Sequence, residues 1–189
     1  MTSEALRPTV SPMRPAALLR EELPRLARAA AGRPVLDLAC GRGRNALAAA
    51  AHGLRTYALD RDLAALRELG AHAREARLAI GRVRADVEAG LPLPFASGSL
   101  GGVLVFRFLF RPLAAEIARV LAPGGLLACE TFTTAQRALA GGPQREAFLL
   151  SPGELAALFP QLETLRFEEG VFDEPEPTAL ARLIAVKPT

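Results

Sequence analysis

The 189-residue chain has few cysteines, almost no lysine and no long uncharged apolar run. Two cysteines, Cys40 and Cys129, are too few for a disulfide framework, so we expect a reducing, cytoplasmic location. The lack of an 18-residue apolar run without charge excludes a membrane-spanning helix, and the polar, proline-bearing start lacks the pattern of a signal peptide. The 23 basic residues include a single lysine, Lys187, and the formal net charge of +3 is too small to indicate a nucleic-acid partner.

Half of the residues are hydrophobic and 23% are charged, which is typical of a globular domain with a sizeable core. We expect residues 1–14 to form a mobile arm and residues 15–189 to form a single domain, as a monomer or a homodimer. We expect no metal site, because no cluster of histidine, cysteine and acidic residues has the spacing of metal ligands.

The chain is organised around residues 35–43, Val-Leu-Asp-Leu-Ala-Cys-Gly-Arg-Gly, which precede an alanine-rich stretch at 44–51. This pattern predicts a strand, a tight loop and a helix, the nucleotide-binding corner of a doubly wound α/β fold. Residues 41–46 match the G-x-G-x-x-A pattern of dinucleotide sites. However, Asp37 at the entry of the loop would repel a pyrophosphate and favours a cationic ligand such as S-adenosylmethionine.

This stretch resembles motif I of the class I S-adenosylmethionine-dependent methyltransferases, acid-x-G-x-G-x-G, with Ala39 where the first glycine usually stands. Residues 40–45, Cys-Gly-Arg-Gly-Arg-Asn, are most similar to the tellurite-resistance methyltransferase group, whose loop also reads C-G-x-G-R-N. The resemblance implies an α/β, doubly wound, Rossmann-like fold. It also implies a mostly parallel seven-stranded sheet in the order 3-2-1-4-5-7-6, with an antiparallel last strand.

The patterns of apolar residues and turn formers predict the elements of this fold. A first helix is predicted over 15–31, with Pro24 expected to kink or split it. Strands are predicted at about 33–39, 54–59, 79–85, 100–106, 126–130, 162–168 and 179–186. The acidic stretch 169–178 is predicted to be a connection, and 132–150 an irregular loop.

Acidic residues at strand ends complete the predicted cofactor pocket. Asp60 ends the second strand, 19 residues after Gly41, where an acid accepts hydrogen bonds from both ribose hydroxyls. The resemblance implies that Asp86 binds the adenine amino group and that Val87 packs on the ring. We predict that S-adenosylmethionine is contacted by Asp37, Ala39, Cys40, Gly41, Gly43, Arg44, Asn45, Asp60, Arg61, Asp86, Val87 and Phe106.

Two further residues are predicted to be catalytic, Arg107 after the fourth strand and Glu130 at the end of the fifth. In the family, the end of the fourth strand lines the methyl-transfer end of the pocket. Arg107, together with Arg111, would attract an anionic acceptor, and Glu130 would act as a base or an orienting group. The two cysteines fall in the cofactor loop and inside a strand, so we expect them to be small buried residues.

We therefore expect a methyltransferase whose partner is a small molecule, anionic or chalcogen-containing, of the tellurite, selenite or thiol type. No [DN]-P-P-[FY] motif follows the fourth strand, which disfavours methylation of adenine or glutamine amino groups. Three alternatives stay open: a methyltransferase acting on RNA or protein, an NAD(P)-dependent oxidoreductase, and a non-catalytic cofactor-binding module. A basic face with exposed aromatics would favour RNA, but the sequence shows no concentrated basic stripe, so we expect no nucleic-acid partner.

Overall fold

The computed structural model describes residues 14–173 and 176–189, so the predicted arm lies outside the described residues except for Arg14. Five helices and seven strands follow one another along the described chain. They are α1 (Ala17–Ala30), β1 (Val35–Leu38), α2 (Arg44–Ala51), β2 (Thr56–Asp60), α3 (Leu63–Glu75), β3 (Ile80–Arg84), β4 (Leu100–Phe106), α4 (Leu113–Val120), β5 (Leu121–Phe132), α5 (Glu154–Ala157), β6 (Glu163–Asp173) and β7 (Pro177–Val186). Two short 3-10 turns, Thr134–Ala138 and Glu146–Phe148, lie between β5 and α5.

The seven strands form one sheet in the order β3-β2-β1-β4-β5-β7-β6. Strands β1 to β5 run parallel, and β7 runs antiparallel to both of its neighbours. The predicted α/β fold class and strand order are therefore confirmed. The order reverses at β1, which lies between β2 and β4, and this is where open α/β sheets bind ligands.

Successive side chains of β1 point to opposite faces of the sheet. Leu36 and Leu38 belong to the core beneath α4 and α5, whereas Val35 belongs to the core beneath α1. Asp37 therefore points to the same side as Val35, towards α2. All four residues of β1 are buried, as expected for a central strand covered on both faces.

Two predicted elements differ from the structure. Helix α1 is not split at Pro24 but continues as one helix, because Leu19 before the proline and Leu26 after it are both buried; a kink at Pro24 stays a prediction. The stretch 169–178 is mostly strand, since the β6–β7 pairing extends to Asp173 and Pro177. Among the described residues, no helix combines the length and the apolar character needed to cross a bilayer.

Candidate functional site

The loop between β1 and α2 turns on three residues with left-handed backbone, Ala39, Gly41 and Gly43, whose φ angles are 53°, 53° and 79°. This conformation costs an L-residue about 1–2 kcal/mol, which explains why the motif favours glycine where this chain has Ala39. A Cβ atom at Gly43 would lie 2.4 Å from Leu69 of α3, whereas one at Gly41 would meet nothing within 4 Å. The loop is therefore packed at Gly43 and open to a ligand at Gly41.

Asp60, at the end of β2, is tied to this loop. Its Oδ2 accepts a hydrogen bond from the Gly41 backbone N–H at 2.7 Å, and its Oδ1 accepts one from the Asp62 N–H at 2.8 Å. A carboxylate offers about four lone-pair positions, so each oxygen keeps one for a further donor. The carboxylate is thus held in a fixed position with capacity for two hydroxyl groups.

A pocket of about 210 Å³ opens beside Asp60, at the carboxyl ends of the parallel strands. It brings together six of the predicted site residues, one of them the predicted catalytic arginine. These six are Ala39, Asp60, Arg61, Asp86, Val87 and Arg107. At its rim, Arg61 pairs with Glu88 at 2.6 Å and lies 3.8 Å from Asp86. The pocket lining therefore combines three carboxylate residues, the apolar Val87 and two arginines.

Asp37 lies behind the loop and does not line this pocket. It is 2% exposed, and its Oδ2 accepts a hydrogen bond from the Ala46 backbone N–H of α2 at 2.9 Å. Burial raises the pKa of Asp37 to about 7, although the Ala46 N–H and the charge of Arg44 favour the ionised form. The charge of this carboxylate therefore changes near neutral pH.

The remaining predicted cofactor residues lie around the loop, outside the lining of the pocket. The Oδ1 of Asn45 accepts a hydrogen bond from the Ala16 N–H at 3.0 Å, so it fixes the start of α1 against α2. Phe106 is buried in the core beneath α1. Contacts of Cys40, Gly41, Gly43, Arg44, Asn45 and Phe106 with a cofactor stay predictions.

Neither cysteine is a ready nucleophile. Burial and the nearby charges of Asp37 and Asp60 raise the pKa of the Cys40 thiol. Burial, followed by the neighbouring Glu130, raises the pKa of Cys129 to about 12. Since the thiolate is the nucleophilic form, both side chains are inert near neutral pH.

Arg107 follows β4 with a φ of 59°, a backbone conformation that non-glycine residues seldom adopt. Its N–H donates to the Glu130 carbonyl at 2.8 Å, and its Nε lies 3.1 Å from Glu130 Oε1. Arg182 of β7 donates from its Nε to the other oxygen of Glu130 at 2.9 Å. The carboxylate of Glu130 is fully buried between two guanidinium groups.

The rings of Phe132 and Phe172 complete this arrangement. The Arg107 guanidinium lies 4.9 Å from the centre of the Phe132 ring, and that of Arg182 lies 3.6 Å from the centre of the Phe172 ring. Backbone strain that is maintained by several contacts is common at functional sites. Of the two roles predicted for Glu130, base or orienting group, these contacts support the second, because both of its oxygens hold arginines.

Arg111 has a different environment from Arg107. It forms an ion pair with Glu154 at the start of α5 and donates to the Leu149 carbonyl at 2.9 Å. The hydrogen bond from Arg111 lowers the pKa of Glu154. Arg111 therefore joins α4 to α5, and it does not line the pocket beside Asp60.

Four residues of the pocket lining were missed from the sequence: Leu59, Ala85, Glu88 and Phe108. Glu88 follows Asp86 by two residues, and its N–H donates to the Asp86 Oδ1 at 3.0 Å. Phe108 directly follows Arg107 after β4, so its place in the sequence could have identified it as a residue of the pocket lining. Phe108 also packs against the buried core beneath α4 and α5.

The strand order and a glycine loop joined to an acid at the end of β2 define an α/β fold of the class I methyltransferase kind. Residues 35–125 match a family model described as a methyltransferase domain. That segment, just under half of the chain, matches the methyltransferase domain family, and the fold is shared with class I S-adenosylmethionine-dependent methyltransferases. The predicted resemblance to that class is thereby confirmed, and it favours the predicted enzyme class and cofactor over the NAD(P)-dependent oxidoreductase. No curated protein sequence matches the chain.

Several solved structures share the fold at low sequence identity. TehB from Haemophilus influenzae is 19% identical with a TM-score of 0.69; the match covers 88% of this chain and 62% of TehB. A methyltransferase from Methanosarcina mazei is 20% identical with a TM-score of 0.67, over 82% of this chain and 92% of that one. Geranyl diphosphate C-methyltransferase from Streptomyces coelicolor A3(2) is 15% identical with a TM-score of 0.66, over 89% and 80%. This chain therefore spans less than two thirds of the length of TehB.

Proposed function

We propose that the protein transfers a methyl group from S-adenosylmethionine to a small anionic acceptor held by Arg107. One observation carries the proposal. Arg107 lines the same pocket as Asp60 and Asp86, and Glu130 holds its guanidinium in place. An anion bound by Arg107 would therefore lie in the pocket that we assign to the cofactor.

The residues present fit S-adenosylmethionine. Asp60 keeps lone pairs for the two ribose hydroxyls, and Asp86 and Val87 lie together in the pocket for the adenine ring. The left-handed backbone at Gly41, with open space beside it, permits close approach to the loop. When bound, S-adenosylmethionine supplies an electrophilic methyl group on a sulfonium centre.

The acceptor class follows from what surrounds Arg107. A guanidinium forms paired hydrogen bonds to carboxylates, phosphates and oxyanions. Glu130 keeps Arg107 in place with both of its oxygens engaged, so we assign no proton acceptor to this site. An acceptor atom that needs little help from a base, such as a thiolate or a reduced chalcogen, suits this arrangement.

One of the similar structures is named for geranyl diphosphate, which carries an anionic diphosphate. The loop at residues 40–45 resembles that of the tellurite-resistance methyltransferase group. These likenesses support the choice of acceptors to test, which are tellurite, selenite, small thiols and diphosphate esters.

The test combines cofactor binding with turnover. Calorimetry should show binding of S-adenosylhomocysteine and no binding of NADH, and an acceptor panel should then identify the substrate. Arg107→Lys keeps the charge but loses the planar arrangement of donors, so we expect partial acceptor affinity; Arg107→Ala should lose most of it. Cofactor affinity should change by less than about twofold in both variants.

The matched control is Arg33→Ala, which removes an exposed arginine before β1. If both Arg107 variants keep the wild-type KM and turnover of the acceptor, the anionic-acceptor proposal is wrong. The methyltransferase class would then still stand, because it depends on the domain and fold and not on Arg107.

A further inference from the structure

The outer edge of the sheet carries two adjoining grooves far along the chain from Arg107. The larger lies between α3 and strands β2 and β3, with a volume of about 500 Å³, and Arg55, Arg74 and Arg82 line it. The smaller, about 350 Å³, is lined by Arg67, Arg82 and Arg84. Arg82 and Ile80 line both grooves, so the five arginines follow one continuous surface, here called the arginine edge.

The arginine edge has no neutralising acid. No aspartate or glutamate is among the described residues that line either groove. None of its five arginines forms an ion pair with a described residue, whereas the rim arginine Arg61 pairs with Glu88. A concave surface with one sign of charge raises the local concentration of oppositely charged ligands.

Two of these arginines, Arg82 and Arg84, each donate one hydrogen bond to a backbone carbonyl. Arg82 lies across Gly70, where a Cβ atom would be 2.0 Å from its Nη1, and it donates to the Leu66 carbonyl at 3.2 Å. Arg84 donates from its Nε to the Arg61 carbonyl at 3.4 Å. Each guanidinium has five N–H donors, so most donors of Arg82 and Arg84 stay available to a ligand.

Tyr57 lines the larger groove, but its ring points to the opposite face of the sheet, where it packs edge-on against Phe95 with ring centres 5.6 Å apart. Tyr57 pairs with Gly81 of the edge strand, and a Cβ atom there would be 2.3 Å from the Tyr57 ring, so the ring lies directly over the glycine. Arg55 donates to the Tyr57 hydroxyl at 3.3 Å, which places a cation next to the ring.

We propose that the arginine edge binds single-stranded RNA. A surface that runs through two grooves suits a chain of phosphates better than a single anion, and the exposed guanidinium groups can form paired hydrogen bonds to successive phosphates. A concave groove between a helix and an edge strand does not fit a flat lipid surface. The proposal is independent of the proposed acceptor, because the grooves share no lining residue with the cofactor pocket.

The experiment measures fluorescence anisotropy of a labelled uridine oligomer of about 20 nucleotides, titrated with the full chain at several salt concentrations. The variant is Arg67→Glu/Arg74→Glu, which changes one exposed residue of α3 in each groove. We expect the affinity to fall about tenfold or more. The slope of log affinity against log salt should decrease by about 1.4, since each phosphate contact on a single strand contributes about 0.7.

The matched control is Arg20→Glu/Arg28→Glu, which makes the same charge change at exposed positions of α1. Equal loss of affinity in the control and in the α3 variant would overturn the proposal, because binding would then depend on net charge alone. Competition by polyaspartate as effective as competition by unlabelled RNA would also overturn it, in favour of an acidic protein partner. Binding of S-adenosylhomocysteine, measured on the same variants, should not change.

Discussion

Replacement of the buried carboxylate Asp37 by its amide should stabilise the protein at the same time as it weakens cofactor binding. The carboxylate lies behind the cofactor loop, 2% exposed, with one hydrogen bond from Ala46. The amide side chain of the variant would not be charged, yet its oxygen could accept the same hydrogen bond. Asp37→Asn therefore removes the cost of a buried charge with little change of shape.

The magnitude follows from the shift in pKa. The folded state raises the pKa of Asp37 from 3.8 to about 7, so the folded protein binds a proton that the unfolded chain has already lost. Stability therefore falls as the pH rises from about 4 to about 7, by about 1.4 kcal/mol per pH unit, and levels off above pH 7. Between pH 5 and pH 8 the wild-type protein should lose about 3 kcal/mol of stability through this carboxylate. Asp37→Asn should show no such loss.

The assay is urea unfolding of wild type and Asp37→Asn at pH 5 and pH 8, at equal ionic strength. We expect the stability of the variant relative to wild type to increase by about 3 kcal/mol from pH 5 to pH 8. The control is Asp62→Asn at the exposed start of α3, where the carboxylate accepts a hydrogen bond from Ala64. The difference between that control and wild type should be the same at both pH values.

Calorimetry at pH 8 tests the second part of the prediction, the weaker binding of the cofactor. The ionised carboxylate should favour the cationic cofactor, so Asp37→Asn should bind S-adenosylmethionine about tenfold or more weakly, at about 1.4 kcal/mol per tenfold. The free energies of unfolding of wild type and Asp37→Asn could instead agree within about 0.5 kcal/mol at both pH values. That result would refute the reasoning about the buried charge.

Three further predictions follow from the same contacts. Asp60→Ala should weaken binding of S-adenosylhomocysteine by about 2–4 kcal/mol, because two hydrogen bonds to a charged group are lost; an unchanged Kd in calorimetry would place the ribose elsewhere. Gly43→Ala should lower the free energy of urea unfolding by about 1–3 kcal/mol, because its φ is 79° and the new Cβ would contact Leu69. Arg182→Met should cost about 3–5 kcal/mol in the same assay, since it leaves the buried Glu130 without one partner; a loss below about 1 kcal/mol would contradict this.

The parts of the site that could be predicted from the sequence are those determined by local pattern. The strand, glycine loop and helix at 35–51 follow from contiguous residues, and Asp60 follows from the spacing of adjacent parallel strands. The partners of Arg107 and Arg111 could not be predicted in this way. No acid lies between Ser97 and Ala115, yet Glu130 and Glu154 pair with these arginines from other elements.

The arginine edge escaped prediction for a related reason. From Arg55 to Glu75 the arginines alternate with acids along the sequence, so no basic stripe is visible. The periods of α3 and β3 place Arg67 and Arg74, two helical turns apart, with Arg82 and Arg84 of the strand. The acids of the same stretch, such as Glu68, which pairs with Arg42, lie elsewhere.

The position of β7 between β5 and β6 has a consequence for the order in which the protein is completed during synthesis. Strands β1 to β4, which carry the cofactor loop and Asp60, emerge first and pair with one another. The strand that carries Arg182 is made after the other six strands of the sheet, and until it inserts, Glu130 lacks one of its two arginines. A nascent chain can therefore form the cofactor side of the sheet early, while the side around Arg107 is completed only when β7 inserts.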